Sequence, residues 1–346
     1  MTGPKAQILA RARELGFDAV GIARADEPLG VEYERYLAFV EGGKHGAMSY
    51  LANDLAARRQ LDGDAVLPGA KSVICVARRY KRTEESERGD PEVAQHIARY
   101  ARGQDYHVFL RKKLRQLAKL VRTLAPGTEA RPILDEEPVL ERAWAARAGL
   151  GFVGKNGLVI IPGQGSFVLL GEVVTTLELP PDTPMTERCG SCTRCLDACP
   201  TQAFEQPFVL DPRKCISYLT IEDAAGDRDG AGEHLFGCDD CQSVCPFNRT
   251  APPDEAKTQQ FRPLPIWQDI GLEDLVRLDE AAFFKLTIGT PLRRATHAGL
   301  ARSAATVAAA AIDAGRSTPD AERALEAAKG HDDPLVRAIA SRTRPS

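Results

Sequence analysis

"CGSCTRCLDACP" (residues 189–200) places four cysteines in eleven residues and follows the last with proline. This C-x2-C-x2-C-x3-C-P spacing belongs to bacterial ferredoxins, where three cysteines bind one [4Fe–4S] cluster and the fourth reaches to another. The group is therefore incomplete by itself, and a second set must exist. "CDDCQSVCP" (residues 238–246), together with Cys215, supplies it. The sum closes with Cys189, Cys192, Cys195 and Cys245 for one cluster and Cys199, Cys215, Cys238 and Cys241 for the other. Short two-residue loops wrap the corners of a cubane while their N–H groups point at its sulfurs. Structural zinc also takes C-x2-C pairs, but it does not account for eight ligands with two CP endings. Of nine cysteines only Cys75 is left over, in the apolar run "SVICVA", where it reads as a small buried hydrophobe.

The remainder of the chain sets limits on what the clusters serve. A length of 346 residues allows two or three compact units. A net charge of −3 excludes a strongly basic nucleic-acid protein but not a local basic face. No apolar run approaches the ~18 residues of a membrane span. The start, "MTGPKAQILARARELGF", reads as an amphipathic helix without the features of a signal peptide. A cytoplasmic protein without a membrane is expected, and there clustered cysteines are metal ligands rather than disulfides.

Helix and strand patterns alternate up to about Leu179. "AQILARARELGFDAVGIARA" is a helix running into a strand, with Gly16 as the stop. "KSVICVARRY" and "ARPIL" are further strands, and "YHVFLRKKLRQLAKLVRTLA" and "VLERAWAARAGL" are helices. "GLVII" and "SFVLLGEVVTTLEL" are expected to pair. Residues 1–180 thus read as one α/β (α+β) domain. The proline-rich "PPDTPMTE" leads into a ferredoxin-like two-cluster module over 181–255. Residues 256–346 read as a linker and a helical, HEAT-like region, though barely more than one repeat unit is present.

"GLGFVG" (residues 149–154) satisfies the letter of G-x-G-x-x-G, but a helix precedes it and a strand follows, the reverse of a dinucleotide site. Its glycines are expected to let the backbone leave a helix and pass close to a flat ligand. Asp135, at the end of "RPIL", is open to two readings, a helix N-cap or a proton donor at a strand end. "ARYARGQDYH" (residues 98–107) is too polar for a core helix, and its His107 reads as a surface or satisfied histidine.

Taken together, "ARYARGQDYH", "DEEPVLERAWAARAGLGFVGKNGLVI", "CGSCTRCLDACPT", "CISYLTIE" and "GCDDCQSVCPFN" resemble the epoxyqueuosine reductases. The resemblance covers most of the chain, and the segments flanking the cysteines make it specific. It implies a cobalamin-dependent iron–sulfur enzyme that acts on tRNA with queuosine-type anticodons. The reaction is the last step of queuosine synthesis, reduction of the epoxide at the wobble position to an alkene. By position the proton donor falls on Asp135, whose pKa an apolar setting would raise toward working pH. The corrinoid pocket would draw on Arg58, Ala98, Val159, Leu170, Ser217 and Asp240, with Tyr100 and the "GKNG" loop carrying Asn156 as further candidates. "DYHVFL" begins the D-x-H-x-x-G pattern but lacks its glycine, so base-off cobalamin is expected. Further expectations are an external electron donor, a monomer, and a flipped-out wobble base. Arg293, Arg294 and Arg302 read either as a basic strip for phosphates or as a solvated helix face. Two alternatives compete. A reductive dehalogenase would use the same cofactors but leaves the helical C-terminus without purpose. A two-cluster electron-transfer protein leaves the first ~180 residues without a role.

Overall fold

The computed structural model describes residues 3–224, 226, 228, 230–251 and 255–342. Pro4, tolerated in the first turn because it has no N–H to leave unpaired, opens the helix Pro4–Glu14. Gly16, at φ +85°, turns the chain out of that helix and toward strand β1 (Ala19–Arg24). The other strands of the first unit are β2 (Ser72–Arg79), β3 (Ala130–Ile133), the two-residue β4 (Phe152–Val153) and β5 (Val159–Ile160), and β6 (Val168–Thr175).

The main sheet has the order β1-β2-β6-β3, and each neighbouring pair is antiparallel. The first unit is therefore α+β rather than α/β. "GLVII" and "SFVLLGEVVTTLEL" are not partners as strands: β5 pairs with β4, while β6 runs through the main sheet between β2 and β3. Both apolar runs are buried enough to look alike in sequence, and pairing depends on distant segments that no local pattern encodes.

Alternation along β6 feeds two cores. Leu169 and Val173 pack with helix Tyr106–Arg122, whose Leu110, Leu114, Leu117 and Val121 recur at helical spacing. Val168, Leu170 and Val174 face the opposite side, against Trp144 and Ala145 of helix Glu141–Arg147. The cysteine-rich segment is built of short helices, among them Arg194–Asp197 and Asp240–Ser243, which pack on each other. Pro246, as expected of a residue that fixes φ and needs no donor, opens helix Pro246–Arg249.

Two features bolt this segment to the sheet unit. Asn248, 1% exposed, donates from Nδ2 to Ser166 Oγ (2.9 Å) and to the Gln242 carbonyl (2.7 Å), and its Oδ1 accepts from Ser166 N (2.7 Å). Lys155 Nζ donates to the carbonyls of Gly190 (2.6 Å) and Cys192 (3.0 Å). The C-terminal part contains helices Leu272–Val276, Glu280–Thr287, His297–Asp313, Pro319–Lys329 and Pro334–Arg342. Its core of Leu275, Leu300, Ala304, Ala308 and Ala324 also takes in Val93, Ile97, Leu235 and Phe236 from the other two parts. Phe261, fully buried, runs the other way: it enters the N-terminal core and lies 5.5 Å, edge on, from Phe109.

Candidate functional site

Asp135 follows β3 by two residues and precedes a turn, while the next helix begins only at Glu141 with Leu140 at its N-cap. The N-cap reading of Asp135 is thereby overturned. Its carboxylate is instead held from the start of helix Tyr106–Arg122. Tyr106 Oη donates to Oδ2, and His107 Nε2 lies 2.9 Å from Oδ1. The other ring nitrogen of His107 is 2.7 Å from Asp105 Oδ1, and Asp105 is the N-cap of the same helix, accepting from His107 N. Three consecutive residues, Asp105, Tyr106 and His107, thus form the cradle of Asp135, and His107 bridges two carboxylates.

The electrostatics follow from that bridge. Burial pulls the His107 imidazolium down, but the hydrogen bonds to Asp105 and Asp135 and their charges win, lifting it to about 9. Burial pushes Asp135 up, but the hydrogen bonds from His107 and Tyr106, with the charges of His107 and Arg294, hold it below its ordinary value. The expectation of an apolar setting that raises Asp135 is therefore corrected. At neutral pH the proton of this pair resides on the histidine, which is neither idle nor merely satisfied.

A cavity of about 170 Å3 opens beside Asp135. It gathers Val159 and Leu170, both expected, with Tyr106, Glu141, Arg142, Leu158, Ser166, Val168 and Leu169. The other expected pocket residues lie outside its lining. Arg58 is buried and spent: it donates to the carbonyls of Asn53 (3.2 Å) and Tyr50 (3.1 Å) and lies over Tyr36. Ala98 donates its N–H to Phe236 O (2.8 Å) and abuts Gly237, whose φ of +71° and lack of Cβ permit the contact. Tyr100 meets Tyr80 and Tyr106 edge on and Phe236 at a tilt. Ser217 sits in the first turn of helix Ile216–Ile221, and Asp240 lies 3.2 Å from His234 Nε2. Asn156 is 4% exposed and its Nδ2 has no partner among the described residues.

The glycines of "GLGFVG" let the backbone leave the helix and pass close to other backbone. Gly149, at φ +71°, follows the helix, while a Cβ on Gly151 would come within 2.2 Å of Ile160 O. The close neighbour is β5. Arg302, 2% exposed, drops out of the basic strip, while Arg293, standing over Phe284, and Arg294, bound to Glu222 (2.6 Å) and Tyr50 Oη (2.7 Å), stay at the surface.

Among the cysteines, Cys195 has Cys245 and Cys192 as electrostatic neighbours, and Cys189 has Cys195. Cys215 neighbours Cys199, and Cys241 neighbours Cys215, Asp239, Cys195 and Cys199. Backbone N–H groups already point at sulfur, from Ala203 to Cys199 (3.3 Å) and from Asp240 to Cys238 (3.5 Å). Such donors suit thiolates that share the charge of a cluster. His234, beside Cys238 and Asp240, is a neighbour that spacing gave no reason to suspect.

Sequence reading flagged Asp105 and Tyr106 only as part of the polar stretch "ARYARGQDYH", without a role, and missed Glu141 and Glu172. Glu172 had a visible signal, a lone acid in the buried strand "VLLGEVV". Glu141 had none without the fold.

A held acid–base pair on one unit, bolted to an eight-cysteine module on the same chain, defines an iron–sulfur oxidoreductase. Residues 188–248 match the family described as "4Fe-4S double cluster binding domain", and residues 61–136 that described as "Epoxyqueuosine reductase QueG, DUF1730". The chain belongs to the epoxyqueuosine reductase family. It is 42% identical over 321 residues to the epoxyqueuosine reductase of Gloeobacter violaceus, covering 90% of this chain and 98% of that one. To the enzyme of Pseudomonas aeruginosa it is 40% identical over 339 residues, covering 94% and 89%. It is also similar to a solved epoxyqueuosine reductase bound to an epoxyqueuosine-modified tRNA-Tyr stem loop (TM-score 0.82, 28% identity, 97% of this chain and 88% of that one). A structure of the Bacillus subtilis enzyme, with an aspartate-bearing catalytic loop swung out of its active site, has a TM-score of 0.81 at 28% identity and the same coverage.

Proposed function

We propose that this chain reduces the epoxide of epoxyqueuosine in tRNA to the alkene of queuosine, with Asp135 as the acid at the departing oxygen. The observation that carries the assignment is the Asp105–His107–Asp135 bridge opening onto the cavity. Family membership and the tRNA-bound relative support this substrate over the dehalogenase and electron-transfer readings.

The chain's own residues perform a proton delivery. At neutral pH His107 holds the proton, Asp105 fixes its far nitrogen, and the 2.9 Å contact lets it recharge Asp135. Tyr106 donates to the second carboxylate oxygen, fixing the rotamer, and burial keeps its own phenol protonated. The eight cysteines would hold two [4Fe–4S] clusters, which would supply one-electron relay from an external donor.

Cobalamin, base-off, fits the chemistry of the lining. Leu158, Val159, Val168, Leu169 and Leu170 offer an apolar wall, and Asn156, outside that lining, would add from the neighbouring turn an Nδ2 donor that has no partner among the described residues. The cavity is smaller than a corrin, so the contact would be this wall, with Arg58, Ala98, Tyr100, Ser217 and Asp240 completing the surroundings. When bound it would supply metal-centred two-electron reduction. On this reading 1–180 is the catalytic domain, 181–255 the cluster domain, and 256–346 a HEAT-like region contacting tRNA, in a cytoplasmic monomer.

Protein prepared without oxygen, loaded with cobalamin and given tRNA bearing epoxyqueuosine should yield queuosine. Asp135→Asn should retain iron and corrinoid yet abolish turnover. Full turnover by that variant would discard the acid assignment.

A further inference from the structure

Glu172 lies in the middle of β6 with none of its surface exposed, and neither carboxylate oxygen has a hydrogen-bond partner among the described residues. A charged carboxylate in that position is untenable, and a structural role would be served better by an apolar side chain. By alternation Glu172 shares a face with Leu170 and Val174, toward helix Glu141–Arg147. Glu141 opens that helix, lines the cavity with Asp135 and Tyr106, and leaves Oε1 buried without a partner among the described residues.

The groups facing the pair are few. Asp135 comes from just after β3, Tyr106 and His107 from helix Tyr106–Arg122, Arg142 from Glu141's own helix, and the Cys75 thiol from β2, in register with Glu172. Burial, then the charge of Asp135, pushes Glu172 up to about 8. Burial, then Glu172 and Asp135, raises Glu141 well above its ordinary value against the pull of Arg142 and His107. Burial also keeps the Cys75 thiol neutral.

Reducing an epoxide to an alkene breaks both C–O bonds and takes two electrons and two protons, the oxygen leaving as water. The electrons come from the external donor through the clusters, but the His107–Asp135 pair carries one proton. We propose that Glu141, with the buried Glu172 behind it, delivers the second proton into the cavity. The inference rests on the epoxide-reductase reading and adds a second acid to it.

Infrared difference spectroscopy of the cluster-loaded protein, with 13C-glutamate to mark the bands, should show protonated glutamate carbonyls at pH 7. One should titrate near pH 8 and vanish in Glu172→Gln. Single-turnover reduction should fall about a hundredfold in Glu141→Gln, and Glu172→Gln should displace the alkaline limb of the rate–pH profile. If wild-type protein never reduces the tRNA, the function assigned above is wrong whatever the infrared shows. If it does, but carries no protonated glutamate at pH 7, or if both Gln variants keep the wild-type rate and profile, the second acid is refuted alone. The wild-type titration needs no variant to fold.

Discussion

Replacing His107 by Gln tests the proton inventory at Asp135 most directly. In the folded chain the imidazolium rises from 6.5 to about 9, a difference of about 2.5 units, because Asp105 and Asp135 clamp it against the cost of burial. Each unit corresponds to about 1.4 kcal/mol, so the ceiling is roughly 3.4 kcal/mol. The ring is 26% exposed and solvent screens part of the interaction, leaving about 2 kcal/mol. A group whose folded pKa is raised gives its full stabilisation below the unfolded value and loses it as pH climbs through the folded one. His107→Gln should therefore cost about 2 kcal/mol at pH 6, less through pH 8–9, and almost nothing near pH 10. Asp135 and Asp105, both held low, report the same contact from the acid side: their share persists above the ordinary carboxylate value and is lost as pH falls through the lowered one. Denaturant unfolding of wild type and variant at pH 6 and pH 10 reads the difference. The ring-proton NMR titration reads the pKa, and with six histidines in the chain the variant assigns the resonance by its loss. A ring titrating near 6.5, with equal destabilisation at both pH values, would refute the bridge as the proton store.

Two further outcomes follow from contacts between the units. Lys155→Met removes both donors that tie the cysteine loop to the "GKNG" turn, worth about 1.4 kcal/mol together. Chelator should then strip iron about tenfold faster, measured by the decay of cluster absorbance, and an unchanged rate would mean the tie is idle. Gly151→Ala places a Cβ 2.2 Å from Ile160 O, so the β4–β5 pair must part or shift. A loss of about 3 kcal/mol in unfolding free energy is expected; a loss under half of that would show that the hairpin yields freely.

What the sequence disclosed was covalent in scale: ligand spacing, the stop at Gly16, the buried strands, the long amphipathic helix. Each is written within a few residues, so local pattern suffices. What it concealed was assembled across distance. Strand β6 pairs with β2 and β3 because the two cores demand it, and nothing within "SFVLLGEVVTTLEL" says so. Asp135 was singled out correctly as a residue to watch, yet its partners lie 28 and 29 residues earlier. The direction of its pKa depends on those partners rather than on the apolar run before it. Arg302 illustrates the opposite error, because a charge written on a helix gives no sign that the helix turns it inward. Glu172 was legible and went unread.

Phe261 carries a practical lesson for anyone shortening this polypeptide. Its ring fills a slot between Phe109 and Tyr80 in the body of the sheet unit, although it belongs to the stretch leading to the C-terminal helices. An expression boundary drawn just after the last cysteine would leave that slot empty, a wound comparable to a Phe→Ala lesion of about 3–5 kcal/mol. It would also bare the surfaces of Val93, Ile97 and Phe236 that the helices cover. Trimming the tail is thus surgery on the catalytic body, and soluble fragments should be sought only downstream of this plug.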